Sequence, residues 1–147
     1  MPSFNDTVIA EFRANRGSVG HGFGSSLVLV HTVGRKSGQS RVNPAMSLRE
    51  GEDWLVIGSA AGAQTHPAWI LNLRAQPETF IEVPALQLGA TDIVRVAVVA
   101  RQLEGDERAR AFARFEQKST SFTQYQQRAG ERELPVVRFE RRNERTT

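Results

Sequence analysis

Residues 27–48 read LVLVHTVGRKSGQSRVNPAMSL and contain two kinds of strand pattern. The apolar run at 27–33 is typical of a buried strand, and the alternation of apolar and polar residues at 42–48 is typical of a half-buried strand. Between them, the segment 34–41 contains two glycines, which allow a sharp turn. The stretch therefore predicts two antiparallel strands joined by a turn.

This turn carries three cations, Arg35, Lys36 and Arg41, and the hydroxyl of Ser37 is a further hydrogen-bond donor. Cations placed so closely repel each other unless an anion lies among them. We therefore expect the turn to bind a phosphate or a carboxylate; the alternative is a solvated hairpin. Because Lys36 precedes Gly38, the segment is not a P-loop.

Outside this hairpin, the chain predicts further strands and a few helices. An N-terminal helix at about 3–16 has Phe4, Val8, Ile9 and Phe12 on its apolar face, and either packs on the core or contacts a membrane surface. Several short strands with peripheral helices indicate a mainly β fold, a small and mostly antiparallel β-barrel of the α+β class. The remaining strand predictions are 54–57, 79–83, 86–88, 93–99 and 134–139; further helices are predicted after Thr65, after Glu104 (with Ala109, Phe112 and Phe115 on one face) and at 122–128.

Composition limits the class of protein. The chain has 147 residues, so we expect one domain over residues 1–147, with a disordered tail at 141–147. It contains no cysteine and no apolar run of about 18 residues, and we expect a cytoplasmic protein without a disulfide or a membrane span. The net charge of +3 favours an anionic ligand, but surface aromatic residues for stacking on bases are lacking, so no nucleic-acid partner is expected.

Few residues in the chain are suited to acid–base catalysis. The three histidines lie on separate segments without carboxylates at ligand spacing, so no metal site is predicted. The sequence offers a cationic turn, a run of small residues at 58–63 and three aromatic residues, Trp69, Phe122 and Tyr125. Such a set suits a site in which a cofactor supplies the chemistry and the protein supplies position and electrostatics.

Two blocks of sequence resemble a known family. The first runs from Thr32 through the basic turn to Pro44, and the second from Gly58 through His66 to Pro77. Together they resemble the deazaflavin (F420)-dependent nitroreductase family of the split β-barrel flavin/deazaflavin oxidoreductase superfamily. The resemblance covers nearly the whole chain and implies an FMN-binding-like split β-barrel that binds F420, the 8-hydroxy-5-deazaflavin coenzyme with a phosphate and an oligoglutamate tail.

The resemblance also implies roles for individual residues. The phosphate and acidic tail would be bound by Gly34, Arg35, Lys36, Ser37, Gly38 and Arg41. The deazaflavin and its linker would lie along Pro44, Ala45, Met46, Ser59, Gly62 and Ala63, in a pocket supported by Pro67, Trp69 and Asn72. The acceptor would contact Ser119, Phe122 and Tyr125.

The implied activity is transfer of hydride from the reduced coenzyme to an electron-poor acceptor such as a quinone, a nitroaromatic or an activated enone. Tyr125 and Ser59 are candidate hydrogen-bond donors to the charge that develops on the acceptor. Some relatives have a lysine where this chain has Ala60, and Tyr125 is the only tyrosine, so we expect a different acceptor preference from the nitroimidazole-activating branch.

Several alternatives remain open from the sequence. The protein could bind F420, a flavin or a tetrapyrrole without catalysis, or it could be an FMN-dependent oxidoreductase. The expected partner is a small-molecule acceptor, the expected assembly is a monomer or a homodimer, and peripheral membrane association through the N-terminal helix is an alternative to its packing on the core.

Overall fold

The computed structural model describes residues 3–20, 22–58 and 66–142. Within these ranges six strands and five helices are formed, and the strands close into an antiparallel barrel, which confirms the predicted fold class. In chain order the elements are α1 (Phe4–Ala14), β1 (Leu27–Val33), β2 (Ser40–Glu50), β3 (Asp53–Ile57), α2 (Ala68–Ala75), β4 (Glu78–Val83), α3 (Ala85–Leu88), β5 (Val94–Gln102), α4 (Gly105–Lys118), α5 (Ser121–Ala129) and β6 (Val136–Arg141). The order of strands around the barrel is β1-β2-β3-β6-β5-β4.

The hairpin of β1 and β2 forms as predicted, with Leu27 opposite Met46 and Val33 opposite Ser40. One inference from its alternation was wrong. In β2 the residues buried most deeply are Ala45 and Ser47, whereas the predicted apolar face is only half-buried. The reason is that helices cover the outside of β2, so small side chains suffice on the barrel side and the larger apolar ones face the helices. The half-buried apolar face consists of Val42, Pro44, Met46 and Leu48.

Pro44 lies in the part of β2 that pairs with β1 alone. It is opposite Leu29, and the pairing of β2 with β3 begins only at Ser47. Since proline has no N–H to donate, this unpaired side of the strand accommodates it without loss of a ladder hydrogen bond. Pro44 thus lies at a locally unpaired edge of β2.

The inside of the barrel is filled by large side chains, among them Trp54 and Phe139, both fully buried. Helix α2 packs Trp69, Ile70 and Leu73 into this same core, as its apolar stripe predicted. Because α2 connects the end of β3 to the start of β4, it closes that end of the barrel. The core thus fixes α2 next to the turn between β1 and β2.

Helices α1, α4 and α5 pack on the outer surface of the barrel. Val8 and Phe12 of α1 are buried against Leu27 and Leu29, so the apolar face of α1 is used for packing on the barrel.

On α4 the prediction of Ala109 as a buried residue was wrong. Ala109 is exposed and Ala111 is buried, because the helix begins at Gly105 and presents the face of Ala111 and Phe115 to the barrel; α4 and α5 bury Phe115 and Phe122 with Leu55, Leu134 and Val136.

The predicted strand at 86–88 is instead the short helix α3. Pro84 precedes it and Gly89, with φ 62°, ends it in the left-handed conformation that glycine adopts most readily. Leu86 is 78% exposed, so the apolar run does not represent a core strand. Gln87 of this helix accepts a hydrogen bond from Trp54 Nε1 at 2.9 Å, which ties α3 to the barrel core.

At the C-terminus the last strand extends further than predicted. Arg141 belongs to β6, and the N–H of Arg142 donates to the carbonyl of Ala97 at 2.9 Å. The predicted tail beyond these residues, 143–147, lies outside the described residues. None of the helices in the described ranges is both long enough and apolar enough to cross a membrane.

An ion-pair cluster fastens α1 to the barrel. Arg13 Nη2 lies 2.8 Å from Glu82 Oε2, and His31 Nε2 donates to the same oxygen at 2.6 Å. Burial alone would raise the pKa of Glu82, but the hydrogen bonds from Arg13 and His31 outweigh it, so the pKa lies below its ordinary value of 4.5. Glu82 therefore contributes stability as a carboxylate.

We expect replacement of Glu82 by glutamine to remove part of the acid sensitivity of the protein. A carboxylate whose pKa is lowered by folding stabilises the protein fully above its unfolded value and loses that contribution as the pH falls through its folded value. Below pH 4.5, the unfolding free energy should therefore fall less steeply in Glu82→Gln than in the natural chain. The measurement is urea unfolding across pH, with Glu52→Gln in the exposed turn as the control; identical slopes for all three proteins would contradict the assignment.

Candidate functional site

The basic turn between β1 and β2 is a closed loop held by its own backbone. The N–H of Gly34 donates to the carbonyl of Gln39, and the N–H of Gly38 donates to the carbonyl of Gly34, both at 2.8 Å. A Cβ at Gly34 would lie only 2.5 Å from Ser37 Oγ, so a larger residue there would displace the Ser37 hydroxyl. The conformation of the turn is therefore fixed by hydrogen bonds within residues 34–39.

Asn72 of α2 supports the loop from below. It is a buried residue with 6% exposure, and its Oδ1 accepts from the backbone N–H of Arg35 at 3.1 Å. Its Nδ2 donates to Thr32 Oγ1 at 3.3 Å. A buried amide with both ends bonded fixes the position of the turn relative to the barrel.

The three cations of the turn are exposed and point to an anionic ligand. Within the described ranges, the ion pairs formed by arginines elsewhere do not include Arg35, Lys36 or Arg41. Five other arginines do pair with carboxylates at 2.7–3.3 Å, namely Arg13, Arg101, Arg108, Arg114 and Arg138. All three cations of the turn are therefore available to bind a phosphate or carboxylates from outside the chain.

A cavity of about 740 Å³ lies on the outer surface of the barrel. Its floor is formed by β1 and β2, one wall by α1 and the following loop, and the other by α5 and the end of α4. The lining residues are Phe4, Asn5, Val8, Gly22, Phe23, Ser26, Leu27, Pro44, Ala45, Met46, Lys118, Ser119, Ser121, Phe122 and Tyr125.

This cavity brings together two groups of residues that the sequence places about 75 positions apart. Of the residues expected along the deazaflavin, Pro44 and Met46 face the helices that carry the residues expected to contact the acceptor, whereas the side chain of Ala45 packs into the barrel core. Phe122 anchors the second group, since its ring makes edge contacts with Phe115 at 5.4 Å and Tyr125 at 6.0 Å between centroids. The acceptor residues that share the cavity are Ser119, Phe122 and Tyr125.

Other predicted site residues lie elsewhere. Trp69 is 8% exposed in the barrel core and does not line this cavity, so the expected wall of three aromatic residues does not form. Pro67 caps the start of α2. Ser59, Gly62 and Ala63 lie outside the described residues.

The basic turn and the cavity are connected by β2. Arg41 and Ala45 are four residues apart on this strand, which corresponds to about 13 Å along an extended chain. An elongated ligand with an anionic tail and a planar ring could therefore contact both.

His66 lies at the start of the second described block, close to Arg132. Its Nδ1 is 2.8 Å from Arg132 Nη1, which also donates to the carbonyl of Gly58 at 3.2 Å. Burial, and next the charges of Arg132 and Arg74, lower the pKa of His66, so the imidazole is neutral at pH 7. A neutral Nδ1 accepts the hydrogen bond from Arg132, and the pair links β3 to the segment before β6.

Sequence reasoning missed much of the cavity wall. The helix at about 3–16 was expected to pack on the core or to contact a membrane surface, and neither alternative places its residues at a ligand cavity. Lys118 was not assigned to the site, although it is one of only two lysines in the chain. The one sequence signal for a role of Lys118 was the rarity of lysine, because Lys36 and Lys118 are the two lysines of the chain.

Comparison with known proteins agrees with this geometry. The family model described as F420H(2)-dependent quinone reductase matches residues 6–141. A protein of Mycobacterium tuberculosis named as an F420H(2)-dependent quinone reductase is 32% identical over 137 residues, which are 90% of this chain and 87% of that protein. The sequence likeness therefore extends over nearly the whole chain, as the two blocks predicted.

Solved structures show the same barrel. An F420-H2 dependent reductase (FDR-A) has a TM-score of 0.65 and 28% sequence identity, covering 78% of this chain and 94% of that one. A second structure, described as a domain-swapped dimer, has a TM-score of 0.68 and 25% identity, covering 90% of this chain and 95% of that one.

Proposed function

This chain belongs to the F420H(2)-dependent quinone reductase family, and we propose that it is an F420-dependent oxidoreductase that reduces a quinone with hydride from the reduced coenzyme. The observation that carries the proposal is the shared cavity, which is lined both by Pro44, Ala45 and Met46 of β2 and by Ser119, Phe122 and Tyr125. Hydride transfer requires donor and acceptor in direct contact, and a single cavity between these two groups provides that arrangement.

The residues present fit the coenzyme. The basic turn offers three unpaired cations for a phosphate and an oligoglutamate tail, and no carboxylate among the described residues opposes them with an ion pair. The cavity volume of about 740 Å³ lies within the range of roughly 300–1,000 Å³ typical of ligand sites. Its lining combines aromatic and apolar side chains with polar ones, so it offers contacts both to a planar ring and to its polar substituents.

In this mechanism the coenzyme supplies hydride, and the chain supplies binding and orientation. Arg35, Lys36 and Arg41 bind the anionic tail, while Asn72 positions the backbone of the turn. Helix α1 and helix α5 exclude water from the two sides of the ring site. The hydroxyl of Tyr125 donates a hydrogen bond to the acceptor oxygen on which charge develops.

Replacement of Tyr125 by phenylalanine tests this assignment. We expect turnover with a quinone to fall by about tenfold, because one donor to the developing charge is lost while the ring and its packing remain. The affinity for F420 should stay unchanged, since the basic turn is intact. The measurement is steady-state reoxidation of reduced F420, with the exposed Gln124→Ala on the same helix as control; unchanged turnover for Tyr125→Phe would remove Tyr125 from the mechanism.

We further propose that the protein forms a homodimer. Phe80 stacks on His31 at 4.0 Å between ring centroids, and a shallow depression of about 660 Å³ beside it is lined partly by apolar residues of β4 and β5. A structurally similar protein is described as a domain-swapped dimer. Light scattering on the purified protein tests this assembly, and a monomer mass at high protein concentration would contradict it.

A further inference from the structure

Lys118 occupies an unusual position at the cavity. It is the last residue of α4 and lines the cavity beside Ser119 and Ser121. No Asp, Glu, Arg or His is among the described residues of this lining, so the formal charge of the described lining comes from Lys118. The nearest acidic residue in sequence, Glu116, accepts a hydrogen bond from Thr123 Oγ1 at 2.6 Å, which engages that carboxylate between α4 and α5.

We propose that Lys118 stabilises the negative charge formed on the acceptor and makes this end of the cavity select acceptors that carry an anionic oxygen. The inference rests on the proposed function, because it assigns a role within the same acceptor site. Lys118 lies on the wall that also carries Phe122 and Tyr125, the side at which the acceptor is expected. Within the described chain, no ion pair to a carboxylate holds its ammonium away from the cavity.

Quinone reduction develops a negative charge on the acceptor that a nearby cation can stabilise. A quinone that accepts a hydride gains two electrons and one hydrogen nucleus, and it becomes the anion of its hydroquinone. The hydride would come from a C–H bond of the reduced coenzyme, which would thereby become the oxidised coenzyme. A proton from water would then convert the anion into the neutral hydroquinone. An ammonium group beside the acceptor oxygen lowers the energy of the anion before that proton arrives.

The charge of Lys118 also predicts that the cavity binds an anionic ligand more tightly than an uncharged one, even without turnover. The probe 2-hydroxy-1,4-naphthoquinone is a vinylogous acid that is an anion at neutral pH and resembles the anionic product, whereas 1,4-naphthoquinone is uncharged. We expect the protein with oxidised F420 bound to prefer the anion by about tenfold, because a charge-assisted hydrogen bond is roughly twice as strong as a neutral one. Equilibrium titration with each probe measures this preference directly.

Two substitutions at Lys118 and one control separate charge from packing. We expect Lys118→Gln to reduce the preference for the anionic probe by about tenfold and kcat with uncharged quinones by a similar factor. Lys118→Arg should retain most of the preference for the anionic probe and most of kcat, since the positive charge is kept. Arg110→Gln removes one charge from the exposed part of the same helix, away from the cavity, and should change neither quantity.

The outcomes distinguish this inference from the proposed function. If natural protein reoxidises reduced F420 with quinones and Lys118→Gln matches it in kcat and in probe preference, the role of Lys118 is wrong and the function stands. If the natural protein prefers the anionic probe through Lys118 but fails to reoxidise the coenzyme, the charged subsite stands and the reductase function is wrong.

Discussion

Simultaneous replacement of Arg35, Lys36 and Arg41 by glutamine is expected to weaken F420 binding by at least about 100-fold. Each charge-assisted hydrogen bond to the phosphate or tail carboxylates contributes on the order of 1.5–3 kcal/mol, and the three cations act on one anionic region of the ligand. The turn should keep its shape, because its hydrogen bonds involve the backbone of Gly34, Gly38 and Gln39. Titration of coenzyme fluorescence measures the loss.

The matched control removes three cations from other surfaces. Replacement of Arg110, Arg141 and Arg142 by glutamine changes the net charge equally but leaves the turn intact. We expect this variant to bind F420 within about twofold of the natural chain at physiological salt, where distant exposed charges are largely screened. Equal losses in both variants would show that overall charge, rather than the turn, attracts the coenzyme. An unchanged affinity in the turn variant would contradict the assignment of the anion site.

Replacement of Phe12 by alanine is expected to lower the free energy of unfolding by about 3–5 kcal/mol. Phe12 is fully buried between α1 and the barrel, where it packs with Val8, Leu27 and Leu29. Its loss leaves a cavity that the surrounding strands cannot close, because β1 is fixed by pairing on both sides. Urea unfolding followed by circular dichroism measures the change.

Phe4 on the same helix supplies the control for this prediction. It lines the acceptor cavity but is 62% exposed, so Phe4→Ala should change stability by less than about 0.5 kcal/mol. We expect it to raise the KM for an apolar quinone while Phe12→Ala acts mainly on stability. A loss of stability in Phe4→Ala as large as that in Phe12→Ala would show that α1 is held differently from the packing described above.

Local pattern predicted much of this fold. The strand at 27–33 follows from its unbroken apolar run and the strand at 42–48 from its alternation, and both adjoin the glycine-containing turn. The helix after Thr65 lies between Pro67 and Pro77. The helix at 86–88 was missed because a segment of three residues, with Leu86 and Leu88 on either side of Gln87, is too short to distinguish the two periods, and only Pro84 and the left-handed Gly89 do so. The buried face of β2 was misjudged because periodicity does not show which side of a barrel strand is covered by helices.

The functional site was predicted in pieces. The basic turn is contiguous in sequence, so residue type and spacing indicated an anion site directly. The cavity is built from α1, β2 and α5, and its lining from Phe4 to Tyr125 is assembled only by the packing of helices on the barrel. Lys118 illustrates the difference, since nothing adjacent to it in sequence distinguishes it from a solvated residue at the end of a helix.

The measurement that tests the central claim most directly is reoxidation of protein-bound reduced F420 by a quinone, followed by the return of deazaflavin fluorescence in the absence of oxygen. We expect a protein-dependent rate that saturates with quinone concentration, because donor and acceptor occupy one cavity. Tight binding of the coenzyme with no reoxidation beyond the uncatalysed rate would contradict the account and indicate a protein that binds F420 without catalysis.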